Sequence, residues 1–323
     1  MRKDHHTTTR RMRRHIQLAL AGAALGTACI ALPSYALPST VNVTNTNSSG
    51  VGSFSQAISD ANLSGVSNTV NFSVSQGSTF PSGLPSITNQ LTIDNTITGT
   101  SHLNSFTVNG GLTTDTTSGD LELKGDGSAS TINSDLTANG ASYIGVTDYT
   151  VNGNLASDGG VGYHDYSDIY VDNSTINGAT IKVTNGAEVD LYDNSNANLS
   201  GDVTVDGVGV NGYQSEFDVA DSTLNAVNLK ATNGGYIDIY NNAIVNLSGD
   251  ATADGVGLNN WQSEVDVDGS TLNAVNLKAT NGGYIDIYSG STVNLTGDAT
   301  ADGVNTDYSD QSEIDVDGST LNA

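Results

Sequence analysis

The chain has 323 residues, 36% of them hydrophobic, and 35 acidic against 10 basic side chains give a formal net charge of −25. A body so acidic repels nucleic acid and anionic lipid and attracts cations, which excludes nucleic-acid binding. The single cysteine, Cys29, leaves neither a disulfide framework nor a Cys-based metal pattern to look for.

Residues 1–36 read as a cleaved secretory signal. Arg2, Lys3, Arg10, Arg11, Arg13 and Arg14 precede an apolar run from Ile16 to Leu32. Pro33 breaks the run, and Ser34 and Ala36 form a small-x-small site with cleavage expected after Ala36. The run is too short and too rich in Ala and Gly for a membrane span. A lipobox at Gly26-Thr27-Ala28-Cys29 is the rival reading, although it lacks Leu at its first position. Cleavage would remove six of the 10 basic residues and one of the 35 acids. Four Lys, no Arg and a formal net of −30 would remain.

Residues 37–104 form the N-terminal segment. Ser53 and Gln56 have capping-box spacing, and Phe54, Ala57, Ile58 and Ala61 follow with i, i+3, i+4, i+7 periodicity. The pattern predicts one short amphipathic helix at about 54–62, laid over the open first coil of a β-structure.

The same residues carry a family resemblance. Val41-Asn42-Val43-Thr44 through Gly52-Ser53-Phe54-Ser55-Gln56-Ala57-Ile58-Ser59-Asp60-Ala61-Asn62 resembles the N-terminal motif of bacterial β-helical surface proteins. Leu84-Pro85-Ser86-Ile87-Thr88 and Leu91-Thr92-Ile93-Asp94 resemble its usual sequel. That group includes autotransporter passengers and polymorphic outer-membrane proteins. Phe54-Ser55 stands where the motif has Leu-Arg, so no role of that Arg carries over. The resemblance implies a β-helix exported to the cell surface, outer membrane or medium, and a C-terminal translocator barrel. No such barrel occurs in this sequence, so the chain is expected to be the N-terminal part of a longer protein.

Residues 105–152 read as degenerate coils, and 153–323 as 48-residue repeats: 153–200, 201–248, 249–296 and the start of a fourth. Thr223–Tyr240 recurs unchanged as Thr271–Tyr288. Such a period marks a solenoid, in which each unit buries its apolar face by stacking on its neighbours. Within the unit the apolar period is two: Val265-Asp-Val267, Ile285-Asp-Ile287 and Val293-Asn-Leu295 are separated by Gly-Ser-Thr, Asn-Gly-Gly and Ala-Asp-Gly. These are short strands joined by tight turns, apolar side chains inward and Asp, Asn or Thr outward. Each unit divides into coils of about 21 and 27 residues, the longer one carrying an extra loop. The expected fold is all-β, a right-handed parallel β-helix of roughly a dozen coils with one N-terminal capping helix. Val267, Leu277, Ile287 and Leu295 should form apolar ladders with Val219, Leu229, Ile239 and Leu247.

No zincin, nucleophile-elbow or P-loop pattern occurs, and His102 and His164 are the sole histidines after the signal. No enzymatic activity is expected. Three features invite a functional reading. Asp190, Asp238 and Asp286 form one outward series, and Asp218, Asp266 and Asp315 another. If both share a face, carboxylates stack every ~4.8 Å and call for Ca²⁺ or another hard cation, unless the face is simply solvated. The loops Gly160–Ser167, Gly207–Ser215, Gly255–Ser263 and Gly303–Ser312 vary on a constant framework. They carry Tyr163 and Tyr166, Tyr213, Trp261 and Tyr308, rings that either contact a ligand or lie flat on the next coil. Lys182, Lys230 and Lys278 recur at 48 and should pair with Asp. The expected function is a structural or adhesive passenger whose loops, with Tyr166, Tyr213, Trp261 and Tyr308, meet a host surface or matrix molecule or a glycan. A carbohydrate-active β-helix enzyme and a secreted biofilm-matrix exoprotein are the alternatives.

Overall fold

A computed structural model describes residues 39–94, 105–115, 119–125, 130–160, 167–210, 212–303 and 311–323. The signal segment lies outside the described residues, and so do the sequence readings on His102, Tyr163, His164, Tyr166 and Tyr308. All described residues belong to one compact unit, Pro38–Ala323.

The chain winds as a parallel β-helix with three flat faces. The first face stacks twelve strands, the second eleven and the third nine. Every strand-to-strand ladder between them is parallel, as in Tyr236–Tyr240 on Glu264–Asp268. Nine coils therefore have strands on all three faces, fewer than the dozen expected, because the first two turns and the last described one contribute strands to one or two faces only. Strands of the first face begin at Glu188, Glu216, Tyr236, Glu264 and Tyr284, so turns of 28 and 20 residues alternate. On the second face the register Ala197↔Leu224↔Val245 advances by 27 and then 21, the division read from the sequence.

Period-two patterning produces the core directly. On the first face Leu191, Val219, Ile239, Val267 and Ile287 stack in register and are fully buried. On the third face large and small residues alternate, Leu229 on Ala251 on Leu277, and all three are fully buried. Leu247 is buried and Leu295 partly so. Each buried Leu, Ile or Val removed from water contributes on the order of 1.5–3 kcal/mol against the entropy of ordering its strand.

Outward positions stack too. On the second face Asn133, Asn152, Asn177, Asn198, Asn225, Asn246, Asn273, Asn294 and Asn322 form a continuous ladder. Each Nδ2 donates to the preceding Oδ1 at 2.7–3.2 Å. A primary amide is donor and acceptor at once, so such a column satisfies itself. The corner between the first and second faces is stitched by buried serines. Ser270 Oγ accepts from Ala243 N at 3.1 Å, and Ser270 N donates to Ser291 Oγ at 3.2 Å.

Among the described residues, the repeat coils turn from the third face to the first by one of two routes. The short coil uses Asn233-Gly234-Gly235, with φ of 51° at Asn233 and 87° at Gly234. A Cβ on Gly234 would stand 2.7 Å from Val208 Cγ2 and 3.0 Å from Gly257 Cα, so the stacked turn admits only glycine there. The long coil uses the loops 207–215 and 255–263, which leave and rejoin the wall at adjacent points. Ser215 N donates to Gly207 O at 3.0 Å, and Ser263 N to Gly255 O at 2.9 Å.

The helix runs Phe54–Ser64, slightly longer than expected, and ends at Gly65 in the left-handed region. Ser53 Oγ accepts from Gln56 N at 3.1 Å, but Gln56 Nε2 turns to Asp60 Oδ1 at 2.6 Å. Only half of the capping box forms, because Ser53 N already donates to Gly50 O. Phe54, Ala57, Ile58 and Ala61 face the core, and Phe54 packs against Phe72 and Phe80 at 5.4 and 5.1 Å between centroids. No helix among the described residues is long and apolar enough to cross a membrane, which says nothing of strands.

Candidate functional site

The two Asp series share one column. On the first face Asp190, Asp218, Asp238, Asp266, Asp286 and Asp315 occupy the same register in six consecutive strands. The column begins where Tyr170 gives way to Asp190. The 20- and 28-residue turns make this possible, since Asp190, Asp218 and Asp238 follow at those intervals.

The alternative of a freely solvated acidic face does not hold for the upper part of the column. The side chains point away from the core, yet Asp190 is 7% exposed and Asp218 and Asp266 are 0% exposed. Asp238 and Asp286 are half-buried and Asp315 is exposed. The cover comes from flanking columns two residues to either side. On one side stand Asp168, Glu188, Glu216, Tyr236, Glu264 and Tyr284, and on the other Asp172, Tyr192, Ala220, Tyr240, Asp268 and Tyr288. Tyr170 and Tyr192 stack at 5.4 Å, and Tyr192 meets Tyr240 edge-on at 6.3 Å. Of these rings, Tyr192 reaches across to the Asp column at Asp218.

The phenols also act as donors. Tyr192 Oη donates to Asp218 Oδ2 at 3.1 Å, and Tyr236 Oη to Asp266 Oδ2 at 2.9 Å. Tyr192 and Tyr240 hydroxyls lie 2.6 Å apart. Burial, reinforced by the neighbouring carboxylates, holds the Tyr192, Tyr236 and Tyr240 phenols protonated well above the ordinary tyrosine range. Supply nevertheless falls short of demand: Asp190 Oδ1 and Asp218 Oδ1 are buried and accept no hydrogen bond from any protein group. Burial first, then Glu188, Asp168, Asp218 and Glu216, pushes the Asp190 carboxyl well above the usual range. Asp218 moves the same way, by burial and then by Glu216, Asp238 and Glu188, against the opposing bond from Tyr192. Two carboxylates about 5 Å apart repel by roughly 3 kcal/mol at an effective dielectric constant near 20.

The side-chain oxygens of Glu188, Asp190 and Asp218 come within 4.8 Å of one another. Glu188 was not singled out in the sequence. Its signal is positional: the next units have Tyr236 and Tyr284 at the same place, 48 and 96 residues on.

The long loops border this face along one edge. Each folds as a small excursion, with antiparallel bridges Val208↔Gln214 and Val256↔Gln262. Gln214 Nε2 reaches Gln262 O at 3.2 Å, so successive loops touch. Tyr213 is half-buried and Trp261 is 43% exposed, and beside them Val210 and Leu258 are 64% and 61% exposed. Neither reading of the rings fits both loops: the Tyr213 ring is partly covered, whereas Trp261 stands well into solvent. The equivalent pair Val210 and Leu258 was missed because an isolated apolar residue in a loop carries no periodic signal. On the third face Lys230 and Lys278 pair with Asp202 and Asp250 at 2.5 Å, the structural role expected of them.

Compared with protein-family models, curated proteins and solved structures, the chain finds no match.

Proposed function

We propose that the chain is an exported bacterial surface protein, a structural and adhesive β-helix passenger displaying its loops to a host or matrix molecule or a glycan. The supporting observation is the row of long loops. They leave one edge of the helix every second coil and present Val210, Leu258 and Trp261 to solvent on a framework that hardly varies between units. Grouped apolar and aromatic side chains exposed on a rigid acidic wall are a feature of contact surfaces rather than of an inert scaffold. Export rests on the character of residues 1–36, and the family on the resemblance over residues 41–62 and 84–94. The second and third faces carry self-satisfied amide and Lys–Asp columns, which leaves the loop edge and the acidic face for recognition.

The test is binding of the purified chain to arrayed glycans and to immobilised extracellular-matrix proteins. Leu258→Ser with Trp261→Ala should lower binding at least ten-fold and leave the β-sheet circular dichroism unchanged. Binding that is absent, or indifferent to both substitutions, overturns the adhesive reading. Antibody labelling of intact against lysed producer cells tests surface display, and label confined to lysed cells would overturn it.

A further inference from the structure

We propose that Glu188, Asp190 and Asp218 form a binding site for one hard divalent cation, of the Ca²⁺ class, at the head of the Asp column. The inference is independent of what the loops bind.

Three observations carry it. The first is convergence, since oxygens of the three carboxylates lie within 4.8 Å of one another. Oxygen ligands sharing one Ca²⁺ ion stand at most about 4.6–5.2 Å apart, so oxygens this close are compatible with a common ion. The second is unmet demand. Asp190 is 7% and Asp218 0% exposed, and each keeps one carboxylate oxygen that accepts no protein hydrogen bond. Buried charge without a donor is costly, and a metal is one of the few ways to satisfy it. The third is that, among the described residues, no Lys or Arg reaches these carboxylates to serve instead. The chain beyond residue 36 has no Arg. Lys182, Lys230 and Lys278 stand on the third face, and Lys124 pairs with Glu122 at 2.6 Å three strands away.

The place is specific. Glu188 and Glu216 are register partners beside Asp190 and Asp218. One and two units further on, Tyr236 and Tyr284 replace Glu188, and the Tyr236 phenol donates to Asp266 instead. A donor set of carboxylates alone, with no nitrogen or sulfur, selects a hard cation over Zn²⁺. Half-buried Glu188 leaves an open side for water ligands and for entry of the ion.

The experiment uses the full chain freed of metal with a chelator, and Tb³⁺ as a luminescent Ca²⁺ substitute that tyrosine sensitises. Tyr192, whose hydroxyl lies 3.1 Å from Asp218 Oδ2, is the donor chromophore. Saturable emission with one ion per chain is expected, displaced by Ca²⁺ and not by NaCl of equal ionic strength. Asp190→Asn with Asp218→Asn should weaken binding at least ten-fold, and Asp286→Asn should leave it unchanged. If the double variant does not fold, Glu188→Gln, at the half-exposed position, should give the same ten-fold loss. No emission, loss of emission in NaCl alone, or equal binding by wild type and whichever of these site variants folds overturns the proposal.

Discussion

Asn246 donates through Nδ2 to Asn225 Oδ1 at 2.9 Å, and its own Oδ1 accepts from Asn273 at 2.8 Å. One face away in the same coil, Asp238 sits between Asp218 and Asp266 in an equivalent outward column. The amide column closes its own hydrogen bonds, whereas the carboxylate column has acceptors only. The two columns should therefore respond oppositely to the same exchange. In chelator at pH 8, Asp266→Asn should stabilise the chain by about 1 kcal/mol, through relief of repulsion and gain of a donor. Asn246→Asp should destabilise it by a similar amount. Urea midpoints at unchanged slope would show both shifts, and shifts of the same sign would refute the distinction.

Ile287 lies in the stack Ile239–Val267–Ile287 and is fully buried. Ile287→Asp would put an unpaired charge in that stack, at a cost of several kcal/mol. Because each coil touches only its neighbours, the damage should stay local. Hydrogen exchange should accelerate in strands 264–268 and 284–288 well before it does in strands 143–147. Uniform acceleration would mean the helix unfolds as a single unit.

Ser270 Oγ accepts from Ala243 N of the preceding coil and donates to Asp268 O at 2.9 Å. Ser270→Ala leaves a buried amide without an acceptor, which costs roughly 1–3 kcal/mol. The Ala243 amide should then exchange faster by one to two orders of magnitude. An unchanged rate would show that the corner finds another acceptor.

Hydrogen bonding by Lys230 holds the Asp202 carboxyl below the usual range, and Lys278 does the same for Asp250. A carboxyl depressed on folding contributes stability that is present above its unfolded value and lost as pH falls through its folded one. Both pairs are partly exposed, which limits each contribution to at most about 1 kcal/mol. Thermal melts should accordingly show part of the acid sensitivity below pH 4 disappearing in Lys230→Met with Lys278→Met. Parallel wild-type and variant profiles would show that the pairs contribute nothing.

The strands, the two coil lengths and the loop positions were legible because each follows from a local pattern. Val265-Asp-Val267 alternates with period two, Asn233-Gly234 marks a turn, and the register of Asp190 with Asp218 follows from counting residues. The helix was legible from Ser53 and Phe54 for the same reason. The burial of Asp218 was not, since it depends on Tyr192, 26 residues earlier in the chain, leaning across to the neighbouring strand. The Asn ladder had a visible signal, an Asn recurring at alternating 21- and 27-residue steps from Asn177 to Asn294. Its meaning emerged only when the strands were placed side by side.

The loops at 207–215 and 255–263 are each pinched shut at their base by two backbone hydrogen bonds, Ser215 N to Gly207 O with Gly209 N to Tyr213 O, and Ser263 N to Gly255 O with Gly257 N to Trp261 O. Length added beyond the pinch costs little closure entropy, about 0.6 kcal/mol for each doubling, and none of it reaches the wall. The edge therefore works as a pegboard. Peptides of unrelated sequence grafted between Val208 and Gln214, or between Val256 and Gln262, would be held in one line at a fixed pitch of about 9.6 Å, twice the strand spacing.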